Sequence, residues 1–198
     1  MESLKLEGID EAAFRWVNGL VGAVGPLDRL MELVVSDYFV PVTLTLVLFS
    51  MWFVGRDLET RQKYQLGVFA AVLAVVIANI PIEILNNFYF RDRPFVNNEV
   101  ALLFYEPTDS SFPANSAAAA FAISGTLWLL NRRVGTAMLA LSAIFAFSRV
   151  YVGVHYPLDV IGGGLIGLAS VFVAFMLTLA LRPVLLVGLR VARKFLIA

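Results

Sequence analysis

Ser148-Arg149-Val150-Tyr151-Val152-Gly153-Val154-His155-Tyr156-Pro157-Leu158-Asp159 joins two long apolar segments and contains the chain's one histidine. Arg, His and Asp are costly between apolar stretches at membrane depth, so they mark a functional site by default. Pro157 predicts the start of a helix, because proline is favoured at the first helical position. His155 then lies just before that helix and Asp159 in its first turn. From there a carboxylate can reach one ring nitrogen and leave the other facing outward.

The surrounding composition sets the medium. The 198 residues are 60% hydrophobic with a mean hydropathy of +0.82, which fits a polytopic membrane protein rather than a soluble domain. The formal net charge of zero argues against nucleic acid as a partner. The absence of cysteine excludes disulfides and thiolate metal sites. No cluster of histidines or carboxylates suggests a metal, and no cofactor is implied. Residues 1–8 lack a signal-peptide pattern. A single domain over 1–198 is expected, divided into interfacial helices (1–36), a spanning bundle (37–182) and a basic amphipathic tail (183–198).

In chain order, Phe14, Val17, Val21 and Val24 recur at helical spacing with Asp10, Glu11 and Arg15 between them, and Gly25-Pro26 breaks the run. Leu27, Leu30, Met31 and Val34 then oppose Asp28, Arg29 and Glu32. Neither piece has the roughly 20 apolar residues of a span, so both read as interfacial; a short tilted sixth span over 12–35 is the other reading. Five spans follow: 38–55, about 64–90, 117–130, 134–151 and 158–181. In the second, Asn79, Glu83, Asn86 and Asn87 share one helical face, which predicts a polar seam or a cavity wall, and Pro81 predicts a kink. Ala117 to Ala120, and Gly162, Gly163, Gly164 and Gly167, predict close helix packing.

Arg56, Arg61 and Lys63, the Arg132-Arg133 turn, and Arg182, Arg190, Arg193 and Lys194 in the tail fall on one side of such a bundle. By the positive-inside rule that side is cytoplasmic. The 91–112 loop and the 149–157 turn then share the opposite side, so two segments distant in sequence meet at one membrane face. There gather Arg91, Arg93, Arg149, His155, Asp159, Asn86, Asn115 and Ser116. Arginine forks suit phosphate, and an oriented imidazole can attack phosphorus.

These residues resemble the membrane branch of the type-2 phosphatidic acid phosphatase superfamily. That family carries Lys-x6-Arg-Pro, then Pro-Ser-Gly-His, then Ser-Arg-x5-His-x3-Asp. The third motif is complete in Ser148, Arg149, His155 and Asp159, and Arg93-Pro94 matches the end of the first. The runs Arg93-Pro94-Phe95-Val96 and Asp109-Ser110-Ser111-Phe112-Pro113, with Asn18-Gly19-Leu20 and Leu27-Asp28, are most similar to the bacterial undecaprenyl-diphosphate phosphatase branch. The resemblance implies a metal-independent lipid phosphatase in the cytoplasmic (inner) membrane, acting on a lipid phosphate or diphosphate from the extracytoplasmic side. His155 would be the nucleophile, forming a phosphohistidine. Asp159 would orient it, and Arg93 and Arg149 would bind phosphate, supported by Arg91, Asn86, Asn115 and Ser116.

Two positions depart from the pattern. Asn86 stands where the family has lysine, and Ser116 where it has the histidine that protonates the leaving group. Glu83 and Asp109 are candidate replacements for that acid. The two losses leave open a lipid-binding or lipid-translocating protein with weakened chemistry, and a lipid phosphotransferase is a third reading.

Overall fold

A computed structural model describes residues 2–194, with side chains from Glu7 to Arg193; Met1 and the last four positions of the expected tail, 195–198, lie outside the described residues. Among the described residues the secondary structure is entirely helical. The elements are α1 (Glu2–Asn18), α2 (Gly25–Val35), α3 (Phe39–Met51), α4 (Leu58–Phe88), α5 (Pro94–Asn97), α6 (Asn115–Leu130), α7 (Arg132–Tyr151), α8 (Pro157–Ala180) and α9 (Arg182–Lys194).

Three of these, α4, α7 and α8, are long and apolar enough to cross a membrane singly. A fourth span is formed if α2 and α3, bent by 53° at their break, are taken together, and α6 is apolar but only 16 residues long. At 1.5 Å per residue α6 reaches ~24 Å, short of the ~30 Å hydrocarbon core. It occupies the centre of the bundle, packed against α3, α4, α7 and α8.

The packing follows from small side chains. Ala117, Ala118, Ala120, Ala122 and Gly125 of α6 are buried. On α8, a Cβ at Gly163 would lie 2.2 Å from the Ala114 carbonyl oxygen, and one at Gly167 would lie 2.3 Å from that of Ala118. The two backbones therefore touch without intervening side chains, as the small-residue runs predict. α4 begins on the side-chain cap of Asp57, which accepts from the Thr60 N–H at 2.8 Å. It stays one helix of 31 residues through Pro81; the intrahelical bonds on either side of the proline outweigh the one it removes.

The two amphipathic N-terminal pieces are tied to the end of the bundle that carries His155. Asn18 Nδ2 donates to the Tyr151 carbonyl at 2.9 Å, and the Tyr151 hydroxyl donates to Asp28 at 2.6 Å. Phe14 is buried edge-on against Tyr156, with ring centroids 5.3 Å apart. At the far end α9 packs on α4 and α8, with Val184, Val187 and Val191 exposed along one face, a pattern suited to a membrane interface.

Candidate active site

His155 is carried on the tight turn between α7 and α8. Gly153 makes that turn with φ +92°, a conformation that disfavours a side chain, and a Cβ there would also press on Asn18 Nδ2 at 3.3 Å. The N–H groups of Val154 and His155 both reach back to the Arg149 carbonyl, which places Arg149 and His155 side by side. Pro157 opens α8, as the sequence predicts.

The hydrogen bonds of the ring determine its tautomer. Nδ1 lies 2.9 Å from the Ser111 carbonyl oxygen, and Nε2 lies 3.1 Å from Arg93 Nη1. A carbonyl only accepts and a guanidinium only donates. Nδ1 therefore holds the proton, and Nε2 presents a lone pair. Burial, reinforced by the positive charges of Arg93 and Arg149 and opposed by Asp159, holds the imidazole below its ordinary pKa. The ring is thus neutral near pH 7, with its lone pair on Nε2.

Asp159 acts on the ring through an intermediary. Its carboxylate is 3.8 Å from Nδ1, beyond hydrogen-bond range. It accepts instead from the Ser111 hydroxyl, the Tyr156 N–H and Arg91. Asp159 therefore positions Ser111, and the Ser111 carbonyl holds the histidine. The direct Asp159–His155 bond expected from the i, i+4 spacing gives way because the 111–113 segment inserts between them.

Arg93 is 5% exposed and makes four hydrogen bonds, one of them to His155 Nε2. It donates from Nη1 to the Val154 carbonyl at 2.9 Å, from Nε to the Asp109 carbonyl at 3.0 Å and from Nη2 to the Asp109 carboxylate at 2.8 Å. Arg149 donates from Nη2 to Asp37 at 2.7 Å, lies over the rings of Phe104 and Phe145, and keeps a buried Nε without a partner.

A cavity of about 360 Å³ opens among these groups, lined by Arg93, Arg149, His155, Asn115 and Ser116 together with Asp37, Asn79, Tyr105 and Asp109. Five of the expected site residues therefore share one space. The Ser116 hydroxyl is buried and bonds to nothing, leaving a free donor on the cavity wall.

Arg91 and Asn86 are not in the cavity wall. Arg91 is taken up by Asp159 and by Asp10, 2.7 Å away, with its guanidinium over the Tyr156 ring. Asn86 lies two turns beyond Asn79 on α4, and it is Asn79 that lines the cavity. Glu83 and Asn87, on the same face, are exposed.

Asp10, Asp37 and Tyr105 are site components that no motif marks. Asp10 is 3% exposed, bonded to Arg91 and to the Leu158 N–H at 2.8 Å. It thus caps α8 from a different helix. Its sequence neighbourhood reads as the polar face of an interfacial helix, and only its single burial reverses that reading. Asp37 comes from the α2–α3 break and accepts from both Arg149 and the Tyr105 hydroxyl.

The chain has clear relatives. The sequence profile of the PAP2 superfamily matches residues 67–183. The undecaprenyl-diphosphatase BcrC of Bacillus subtilis is 30% identical over 170 residues, covering 86% of this chain and 84% of that protein. An undecaprenyl-diphosphatase of Sulfolobus acidocaldarius is 33% identical over 167 residues, covering 81% of this chain and 74% of that protein. Among solved structures, Aquifex aeolicus LpxE superposes with a TM-score of 0.65 at 26% identity, covering 83% of this chain and 93% of its own.

Proposed function

The chain belongs to the PAP2 superfamily and is a multi-pass membrane phosphatase, and from that premise we propose that it hydrolyses a polyprenyl diphosphate, undecaprenyl diphosphate or a close analogue, at the extracytoplasmic face of the cytoplasmic membrane. The supporting observation is His155 itself, whose unprotonated Nε2 adjoins a cavity holding the guanidinium groups of Arg93 and Arg149. The arginines offset the charge on the phosphoryl oxygens, with Asn115 and Ser116 on the same wall. Nε2 attacks the terminal phosphorus, the lipid monophosphate leaves, and water releases phosphate from the phosphohistidine.

The substrate preference follows from Ser116. With serine at the family's second histidine position, the proton for a strongly basic alkoxide has to come from another group, which handicaps that leaving group relative to one that needs no proton. A lipid monophosphate, whose last proton has a pKa of ~6, departs with little help. The facing of the site rests on the basic residues at the opposite end of the bundle, Lys63, Arg132 and Arg133. The names of the relatives in Bacillus subtilis and Sulfolobus acidocaldarius agree with this choice of lipid.

The test is phosphate release by purified protein from matched lipid mono- and diphosphates, with no acceptor added and with His155→Ala as control. Faster release from the diphosphate, abolished in the control, is expected. No release from any substrate means a lipid-binding protein, and release only with an added acceptor means a transferase. Equal rates on mono- and diphosphate remove the argument from Ser116.

A further inference from the structure

The cavity poses a charge problem that also answers the question left by Ser116. Two cations, Arg93 and Arg149, are each paired with a carboxylate, Asp109 and Asp37, on the same cavity wall. An incoming phosphate competes with these carboxylates for the arginines. It then sits beside two like charges, which favours uptake of a proton by one of them. The two carboxylates differ. Both Asp37 oxygens are bonded, one to Arg149 and one to Tyr105. Asp109 uses only Oδ1, toward Arg93, and its side chain is 65% exposed. Arg93 bonds the Asp109 carboxylate with one arm of its fork and His155 Nε2 with the other. The carboxylate and the nucleophile are therefore one guanidinium apart, across the space where phosphate displaces them.

We propose that Asp109 is the general acid of this enzyme, taking up a proton as phosphate displaces it from Arg93 and delivering it to the leaving oxygen. This rests on the phosphohistidine reading above. In the first step the Nε2–P bond forms as the P–O bond to the leaving group breaks, and the leaving oxygen takes the Asp109 proton. In the second, a water oxygen bonds to phosphorus, its proton passes to the Asp109 carboxylate, and the P–N bond breaks with its electron pair returning to Nε2. His155 and protonated Asp109 are regenerated with phosphate still bound; as phosphate leaves, Asp109 gives up the proton it took on binding and pairs again with Arg93. The other groups sharing the cavity are worse acids. The bond to Asp37 raises the Tyr105 pKa, and the arginines hold their protons. Glu83 is exposed and outside the cavity wall. The Ser116 hydroxyl is a hydrogen-bond donor rather than a proton source.

Rapid-quench kinetics of Asp109→Asn separates the two steps. The amide oxygen keeps the bond from Arg93 but carries no transferable proton. With p-nitrophenyl phosphate, whose leaving group needs no acid, the variant is expected to release about one equivalent per site in a burst and then accumulate phosphohistidine. With dodecyl phosphate, leaving-group release is expected to fall by ~10²–10⁴-fold, and adding Ser116→His to the same variant is expected to restore it. The aryl phosphate burst doubles as proof that the variant is folded. Equal loss on both substrates, or loss on neither, overturns the role of Asp109 while leaving the phosphohistidine reading intact. No phosphoenzyme from the wild type on either substrate overturns both.

Discussion

At the scale of the residue, the proposed mechanism depends on holding one imidazole neutral in a cationic pocket. His155 is 3% exposed and sits against Arg93. Burial lowers its pKa first, and the two arginines act in the same direction. The sign of the linkage follows. Above the ordinary value of about 6.5 the ring is neutral both folded and unfolded. As pH falls below it, the unfolded chain binds the proton more readily than the fold does. The stability contributed by the neutral ring is then lost as pH passes through the depressed folded value. Because the chain has one histidine, nitrogen NMR of the labelled protein in detergent reads it without assignment. The expected midpoint lies below about 6.5; one above it means that Asp159 outweighs burial, and the resting ring is charged only if the midpoint lies above the working pH. The residues of this centre were largely legible in the sequence, because His155, Arg149 and Asp159 are bound by short-range spacing. Asp10 and Asp37 were not, because each acquires its role from a partner more than a hundred positions away, Leu158 and Arg149.

At the scale of the element, the site depends on how closely α8 approaches α6. The Ala114 N–H, at the entry of α6, donates to the Asp159 carbonyl at 3.0 Å, so this helix contact also sets the Ser111–His155 geometry. Gly163 and Gly164 distinguish the roles of the two faces. A methyl at Gly163 meets the Ala114 backbone at 2.2 Å, which cannot move aside without separating the helices. A methyl at Gly164 meets the Phe121 ring at 3.2 Å, and a side chain can yield. Gly163→Ala is expected to cost at least the ~1–3 kcal/mol typical of overpacking and to lower turnover, with Gly164→Ala affected less in both. Thermal unfolding in detergent alongside phosphate release checks this, and equal effects at the two positions refute it. The sequence showed that these helices would pack closely. It did not show which glycine faces which carbonyl, since Gly162, Gly163 and Gly164 are consecutive and the rotation of α8 is set by contacts with α4 and α6.

At the scale of the whole molecule, the chain brings the loop between α4 and α6, the turn between α7 and α8 and the break between α2 and α3 to one end. The basic turn at Arg132-Arg133 and the start of α4 lie at the other ends of the same helices. A chain without cysteine permits a direct check of orientation by single-cysteine labelling in intact cells. Val96→Cys, at an exposed position beside Arg93, is expected to react with an impermeant maleimide. Arg133→Cys is expected to react only after the membrane is permeabilised. The reverse pattern would put the site in the cytoplasm.

The sequence by itself determined the membrane class, the helical architecture and the pair of segments that meet at the candidate site. Hydropathy, proline and glycine positions and charge placement act over a few residues, so they are visible in one dimension. Tertiary structure alone decided which polar groups face the cavity and which are taken up by one another. Arg91 and Arg93 are two residues apart and equally basic, yet Arg91 is held by two buried carboxylates while Arg93 lines the cavity. That division depends on where Asp10, Asp109 and Asp159 lie in space, and in an apolar medium each buried charge must find its partner there.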